Sequence, residues 1–332
     1  GTLLDDDWCR FFKENDFLIG ISIDGPRKLH DTYRRDNRGK GTFARVLQGV
    51  RLLQKHRVEY NVLVAVNRVN ADHPQEVYRF LRDELGSTWI QLIPVVERLD
   101  HEGKPGHFQQ GSRVSERSVR PEQFGRFLNA IFDEWVRRDV GRVFVQTFEA
   151  AARRWLGLPS SGMCVFEETC GLGLALEHNG DLYACDHFVE PDYRLGNIRD
   201  QHMIEMIASE KQRRFGRNKR DTLPRACRRC EVLFACQGEC PKNRFRTTID
   251  GEPGLNYLCA GWQAFFHHAD KPLHIVAMLM RLGRPASEVM NILAAKEKEQ
   301  KVSISKSAEI TKKGRGKRKE DRGAKRRRAQ CQ

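Results

Sequence analysis

Cys164-x5-Cys170-x14-Cys185, followed by Cys227-x2-Cys230-x5-Cys236-x3-Cys240-x18-Cys259, gathers eight of the ten cysteines into one stretch, with only Cys9 and Cys331 outside it. Eight thiols make two sets of four. Four thiolates suit either structural zinc or a cubane iron–sulfur cluster. A disulfide framework is a poor reading, because no secretory signal precedes the run and a 332-residue chain is not a small domain that needs stapling. The spacing physics alone leaves zinc and iron–sulfur both open.

Upstream of the cysteines the pattern changes to alternating strands and helices. Phe17 to Asp24 is an apolar run closed by Gly25-Pro26, a buried strand and a turn. Thr42 stands as the N-cap of a helix with Phe43, Val46, Leu47, Val50 and Leu53 on one face. Tyr60 to Asn67 is a second strand rich in β-branched residues, a helix follows from about Pro74 to Leu85, and Ile90 to Val96 is a third strand. Near-continuous apolar strands separated by helices predict an α/β fold with a parallel sheet and right-handed crossovers. Catalytic groups on such sheets sit at the carboxyl ends of the strands. Here those positions are Ser22 with Asp24, Asn67, and Pro94 with Val95.

His101 to Arg120 is rich in Gly, Ser and charge and reads as a long loop. Phe124 to Arg138 is an amphipathic helix, Val143 to Phe148 a last strand, and a short helix spans about Ala150 to Leu156. Leu174 to Glu177 and Leu182 to Ala184, joined across Asn179-Gly180, predict a β-hairpin that presents Cys185 and Asp186 at its end. Beyond Cys259, Trp262 and Phe265-Phe266 are expected to pack the end of the cysteine-rich part. Ile275 to Leu282 and Ala286 to Ala295 read as short helices. His267, His268 and His274 lack a Cys or carboxylate partner at ligand spacing and read as surface or packing residues.

The net charge of +14 is uneven: from Lys296 to Gln332 there are fifteen Lys/Arg against five Asp/Glu, so the other 295 residues carry +4. Such a basic tail is expected to be disordered and solvated. Phosphate neutralisation would let it touch nucleic acid. The lack of interleaved aromatic residues to stack on bases argues against that role. No apolar run reaches the roughly 20 residues that a membrane-spanning helix needs. Reduced, metal-binding thiols without an export signal imply the cytoplasm.

The cysteine register, with Gly180 between Cys170 and Cys185, resembles the SPASM domain of radical S-adenosylmethionine (SAM) enzymes. Cys164 and the sequence Tyr183-Ala184-Cys185-Asp186 are most similar to the anaerobic sulfatase-maturating branch. The resemblance runs from about Leu18 to about Gly283 and favours iron–sulfur over zinc. It implies the C-terminal half of a partial (β/α)6 barrel over residues 1–156 and a SPASM domain with two auxiliary [4Fe-4S] clusters over 157–270. C-terminal helices would then occupy 271–295, ahead of the tail at 296–332. It also implies one cluster on Cys164, Cys170, Cys185 and Cys240 and the other on Cys227, Cys230, Cys236 and Cys259. Ser22, Arg34 and the backbone at Val95 are implied as SAM contacts, with Arg35 competing for the Arg34 role. Asp186 is implied as the catalytic base, with His187 as the alternative.

The activity implied is oxidation of a Cys or Ser in a sulfatase polypeptide to Cα-formylglycine, with flavodoxin or ferredoxin as reductant. The C-x3-C-x2-C loop that would hold a third, SAM-binding cluster is missing from this sequence, as is the Gly-Gly-Glu segment. The chain starts with Gly1 inside what reads as folded sequence, so a truncated enzyme, inactive alone, is the expectation. Another peptide-modifying SPASM enzyme, or a zinc-bound interaction module with a nucleic-acid-binding tail, are the alternatives.

Overall fold

In the computed structural model, which describes residues 1–104, 111–160 and 162–299, the chain opens with α1 (Asp6–Glu14), whose N-cap Asp5 accepts the Trp8 amide at 2.8 Å. Three parallel strands follow, β1 (Ile19–Ser22), β2 (Tyr60–Val66) and β3 (Trp89–Pro94), with Ile21 opposite Val62 and Val64 opposite Leu92. Val62, Val64 and Val66 are fully buried, and a one-residue slip would turn all three to the other face. Between the strands lie α2 (Arg27–Tyr33), α3 (Phe43–Lys55) and α4 (Pro74–Arg79), the last continued by a π-helical turn at Phe80–Glu84.

After β3 a small antiparallel pair, β4 (Arg98–Leu99) and β5 (Arg113–Val114), leads into α5 (Pro121–Arg138). Then β6 (Phe144–Val145) adds to β3, giving a four-stranded sheet in the order β1-β2-β3-β6, and α6 (Gln146–Trp155) follows directly.

The cysteine-rich part begins with an antiparallel sheet of β7 (Ala175–Leu176), β8 (Asp181–Tyr183) and β9 (Arg194–Asn197). Four short or medium helices come next: α7 (Met203–Ile207), α8 (Glu210–Asp221), α9 (Arg225–Arg228) and α10 (Leu233–Cys236). A hairpin of β10 (Arg246–Thr247) and β11 (Pro253–Leu255) precedes α11 (Cys259–Arg281). Helix α11 lies along α5, and its aromatic residues interlock with those of α5 and α6. Phe124 and Trp262 meet edge to face at 5.0 Å, and Phe148 stacks on Phe265 at 5.5 Å. Each such pair adds about 0.5–1.5 kcal/mol beyond its area burial. Gly125 and Gly261 sit at the crossing, where a methyl group on Gly261 would collide with the Pro121 carbonyl oxygen.

Several sequence expectations need correction. The strand expected over Val143 to Phe148 is only Phe144–Val145, because Gln146 already begins α6, four residues ahead of the expected Ala150. Thr42 occupies the N-cap position of α3 without capping it; the Asp31 carboxylate accepts the Phe43 amide at 2.9 Å instead. The loop His101–Arg120 contains β5, and its residues 105–110 lie outside the described ones. Instead of a short helix at Ile275–Leu282, α11 runs unbroken through Pro272, across the 270/271 boundary. A 3-10 turn at Ala286–Glu288 and helical residues 289–299 follow. The basic tail beyond residue 299 lies outside the described residues. Among those described, no helix is long and apolar enough to cross a membrane.

Candidate functional site

The carboxyl ends of β1 and β2 carry a hydrogen-bonded network around Asp24, which is 2% exposed. Arg34 grips it in bidentate fashion, Nε to Oδ2 at 2.7 Å and Nη2 to Oδ1 at 3.0 Å, and the Ala65 amide donates to Oδ1 at 2.9 Å. Burying a carboxylate is tolerable only when it is paired and hydrogen-bonded in this way. Arg35 points elsewhere, donating to the Asp31 carbonyl oxygen at 3.0 Å, so Arg34 is the arginine that reaches the strand ends.

His30 completes the network. Its Nδ1 accepts the Asp24 amide at 3.2 Å, which makes Nε2 the protonated nitrogen facing Thr42 Oγ1 at 3.1 Å. Burial holds its pKa below the ordinary histidine value. Asn67 serves the backbone of the next turn, its Oδ1 accepting from Val69 and Asn70 at 2.9 and 3.1 Å. Ser22 is half-buried at the end of β1. Val95 donates its amide to Val66 (2.9 Å) and accepts from Val119 (3.0 Å), so its carbonyl oxygen keeps one lone pair free.

The eight cysteines fall into two groups. Cys227, Cys230, Cys236 and Cys259 line one pocket of about 50 Å³, walled by apolar Val232, Leu233 and Leu255 with Asn256 and Gln263 beside them. The Gln263 amide donates to Cys230 Sγ at 3.5 Å. Burial pushes the Cys259 thiol up to about 11 and raises Cys236 as well. Four such thiols become thiolates together only beside a compensating cation, and four sulfur donors in a lining without a carboxylate fit a soft metal centre.

The second group gathers around the end of β8. His187 Nδ1 lies 3.3 Å from Cys240 Sγ, and the His187 amide donates to Cys185 Sγ at 3.4 Å. Cys164 and Cys240 face a cavity of about 240 Å³, which is also lined by Gln91, Ile93 and Pro94 of β3. This cavity joins the end of the parallel sheet to the thiols. The Asp181–Tyr183 strand and its Asn179-Gly180 turn deliver Asp186 next to them, and the Cys185 thiol donates to Asp186 Oδ1 at 3.3 Å. Burial pushes that thiol up to about 12. Asp186 and His187 are exposed, and of the two it is His187 that lines this cavity.

Sequence reasoning missed the supports behind these ligands. Lys219, 1% exposed, donates to the Cys164 and Val165 carbonyl oxygens at 2.7 and 2.9 Å. Between Cys236 and Cys240, residues Gln237, Gly238 and Glu239 all have positive φ, at 49°, 69° and 54°. The Arg244 guanidinium clamps this turn, donating to their three carbonyl oxygens at 2.8, 2.9 and 3.1 Å. The Glu239 side chain, 3% exposed, accepts from Asn243 and Asn256. Partners four and seventeen residues away leave no periodic trace, and a buried Lys or Glu reads in sequence as surface. The three histidines at 267, 268 and 274 form no shared site. His268 pairs with Asp133 and His274 with Asp270, each at 3.1 Å.

Comparison with known proteins agrees with this geometry. The SPASM family, described as an iron-sulfur cluster-binding domain, matches residues 168–231. The serine-type anaerobic sulfatase-maturating enzyme of Bacteroides thetaiotaomicron is 48% identical over 274 residues, covering 81% of this chain and 66% of that relative. The serine-type enzyme of Klebsiella aerogenes is 36% identical and covered over 65% of its length, so the chain spans just under two thirds of these two relatives. A cysteine-type enzyme from Clostridium perfringens is 31% identical, with 81% of this chain and 70% of the relative covered. The solved structure of native anSMEcpe with bound AdoMet and Cp18Cys peptide superposes with a TM-score of 0.73 at 29% identity, over 84% of this chain and 74% of that one. With its parallel sheet, its two thiol groups and these relatives, the chain belongs to the anaerobic sulfatase-maturating enzymes, radical SAM proteins with a SPASM iron–sulfur domain.

Proposed function

We propose that this protein, with the segment that binds the third cluster, oxidises one Cys or Ser of a sulfatase polypeptide to Cα-formylglycine. When bound, SAM and the iron–sulfur clusters supply the hydrogen-abstracting radical and the electron sinks. Residues 1–156 contribute the sheet, where Ser22, Arg34 and the free lone pair at Val95 hold SAM at the strand ends. Cys164, Cys170, Cys185 and Cys240 hold the cluster that faces the cavity, and Cys227, Cys230, Cys236 and Cys259 hold the other. Asp186 takes the proton from the substrate thiol or hydroxyl. A sulfatase segment lying in the cavity covers Asp186 and excludes water from it. A flavodoxin or ferredoxin provides reducing electrons, and eight reduced thiols suit a cytoplasmic setting.

The observation that supports this most is the placement of Asp186, whose Oδ1 lies 3.3 Å from Cys185 Sγ and whose neighbour His187 lines the cavity that connects the sheet end to Cys164 and Cys240. The test uses anaerobically purified full-length enzyme and peptides offering Cys or Ser in a C/S-x-P/A-x-R context. Both are needed because relatives of both types match. Aldehyde is expected in the peptide, and Asp186→Asn is expected to abolish it while iron content stays unchanged. Full turnover by that variant removes Asp186 from the base role.

A further inference from the structure

We propose that the arginine-flanked loop Cys227-Arg228-Arg229-Cys230 is the docking face for a small acidic electron-carrier protein; this rests on the iron–sulfur reading of the Cys227 group. The folded part of the chain is nearly neutral in total but strongly polarised. From Glu210 to Arg229 there are nine Lys/Arg against two Asp/Glu, a net of +7. The rest of residues 1–295 holds 34 basic against 37 acidic residues, a net of −3. The positive charge outside the tail is therefore concentrated on α8, α9 and the ligand loop.

Of these residues Arg214, Arg217, Arg220, Arg225, Arg228 and Arg229 are exposed. Arg228 and Arg229 stand between two ligands, and Arg228 donates to the Asp221 carbonyl oxygen at 3.1 Å. That bond folds α9 back toward the end of α8. Arg220, Arg228 and Leu233 line one open depression of about 390 Å³, together with Glu168 and Asp221, which both pair with Arg220 and leave Arg228 as its unpaired cation among the lining residues. Leu233 also lines the cavity of Cys227, Cys230, Cys236 and Cys259. A protein seated in the depression is thus one side chain away from the thiols. Phe234 next to it is 41% exposed, held edge to face on Trp155 at 4.8 Å. Exposed aromatic and arginine side chains together are the composition of interface hot spots.

The two thiol groups also differ in what they face. The Cys164 group opens on the cavity at the sheet end, whereas the Cys227 group lies under this basic surface. A positive patch over a redox centre steers an acidic carrier and orients it on arrival. In the exchange the oxidised carrier gains the one electron that the protein's centre loses, no bond is made or broken, and the carrier so reduced is then able to provide electrons to the enzyme. Nucleic acid would use the same charges but has no use for a ligand loop beneath them.

The test measures binding of an oxidised acidic flavodoxin to the full-length, cluster-loaded enzyme by calorimetry at low and high salt, with iron and sulfide determined on each sample. Arg228→Glu/Arg229→Glu is expected to weaken binding at least tenfold and to flatten its salt dependence. Arg228→Lys/Arg229→Lys is expected to stay within about threefold. If charge reversal in the loop lowers the iron content, Arg220→Glu/Arg225→Glu, outside the ligand loop, decides, with the same weakening expected. Unchanged flavodoxin affinity in a charge-reversed, iron-replete variant overturns the proposal. So does a duplex DNA that binds through these arginines when flavodoxin does not. A protein that holds zinc and no sulfide instead fails the functional reading itself, a result the metal analysis separates from failed docking.

Discussion

Gly125 of α5 and Gly261 of α11 face each other so closely that a methyl group on Gly125 would stand 3.0 Å from the Gly261 Cα. Gly261 is two residues beyond Cys259, the first residue of α11. The crossing therefore ties the position of a thiol to the packing of α5. Overpacking such a contact costs about 1–3 kcal/mol. Gly261→Ala is expected to lower the unfolding free energy by that amount and to reduce iron at the Cys227 group. Denaturant unfolding of the loaded protein and iron analysis check both.

Arg34→Gln leaves the Asp24 carboxylate buried with one amide donor. Losing the partner of a buried, hydrogen-bonded group costs about 1–3 kcal/mol. A loss of that size in chemical unfolding is expected, together with weaker SAM binding. Pairing Arg34→Gln with Asp24→Asn is expected to cost less than the two single changes added, because each removes the other's unpaired charge.

Glu149, in the first turn of α6, is raised to about 7 by burial alone. Its unfolded value is near 4.3. A carboxyl with a raised folded pKa binds more protons folded than unfolded between those values, so stability falls as pH climbs from about 4.3 to about 7 and is level above that. The full difference amounts to about 4 kcal/mol. Unfolding at pH 5.5 and pH 8 is expected to show this decline, and Glu149→Gln is expected to remove most of it.

Cys240→Ala and Cys236→Ala separate the two groups. Each is expected to leave roughly four of about eight irons, with the surviving cluster spectroscopically distinct in the two variants. Loss of all iron from either variant would show that the sites assemble as one.

The cysteines were legible because ligand chemistry imposes its own spacing on a chain. The parallel strands were legible because near-continuous apolar runs form them, with Val62, Val64 and Val66 fully buried on one face of the sheet. Helix α11 was read only over its last turns, and Pro272, a residue that normally ends a helix, lies inside it. Here Trp262, Phe265 and Phe266 ahead of it, with Leu273 and Val276 beyond it, are buried in one stripe that outweighs a missing amide. The shortness of β6 was hidden because Gln146 to Phe148 suits either strand or helix, and packing of Phe148 against Phe132 chose helix. Glu239 and Arg244 left no signal, since their partners come from three separate segments.

The clamped turn from Gln237 to Glu239 acts as a ruler. Three residues separate Cys236 of one thiol group from Cys240 of the other, so over the four Cα-to-Cα steps their Cα atoms can never be further apart than about 14 Å. The left-handed backbone and its guanidinium brace hold the span well short of that limit. Whatever the two centres pass between them travels a length written into the covalent chain, indifferent to how the outer surfaces move.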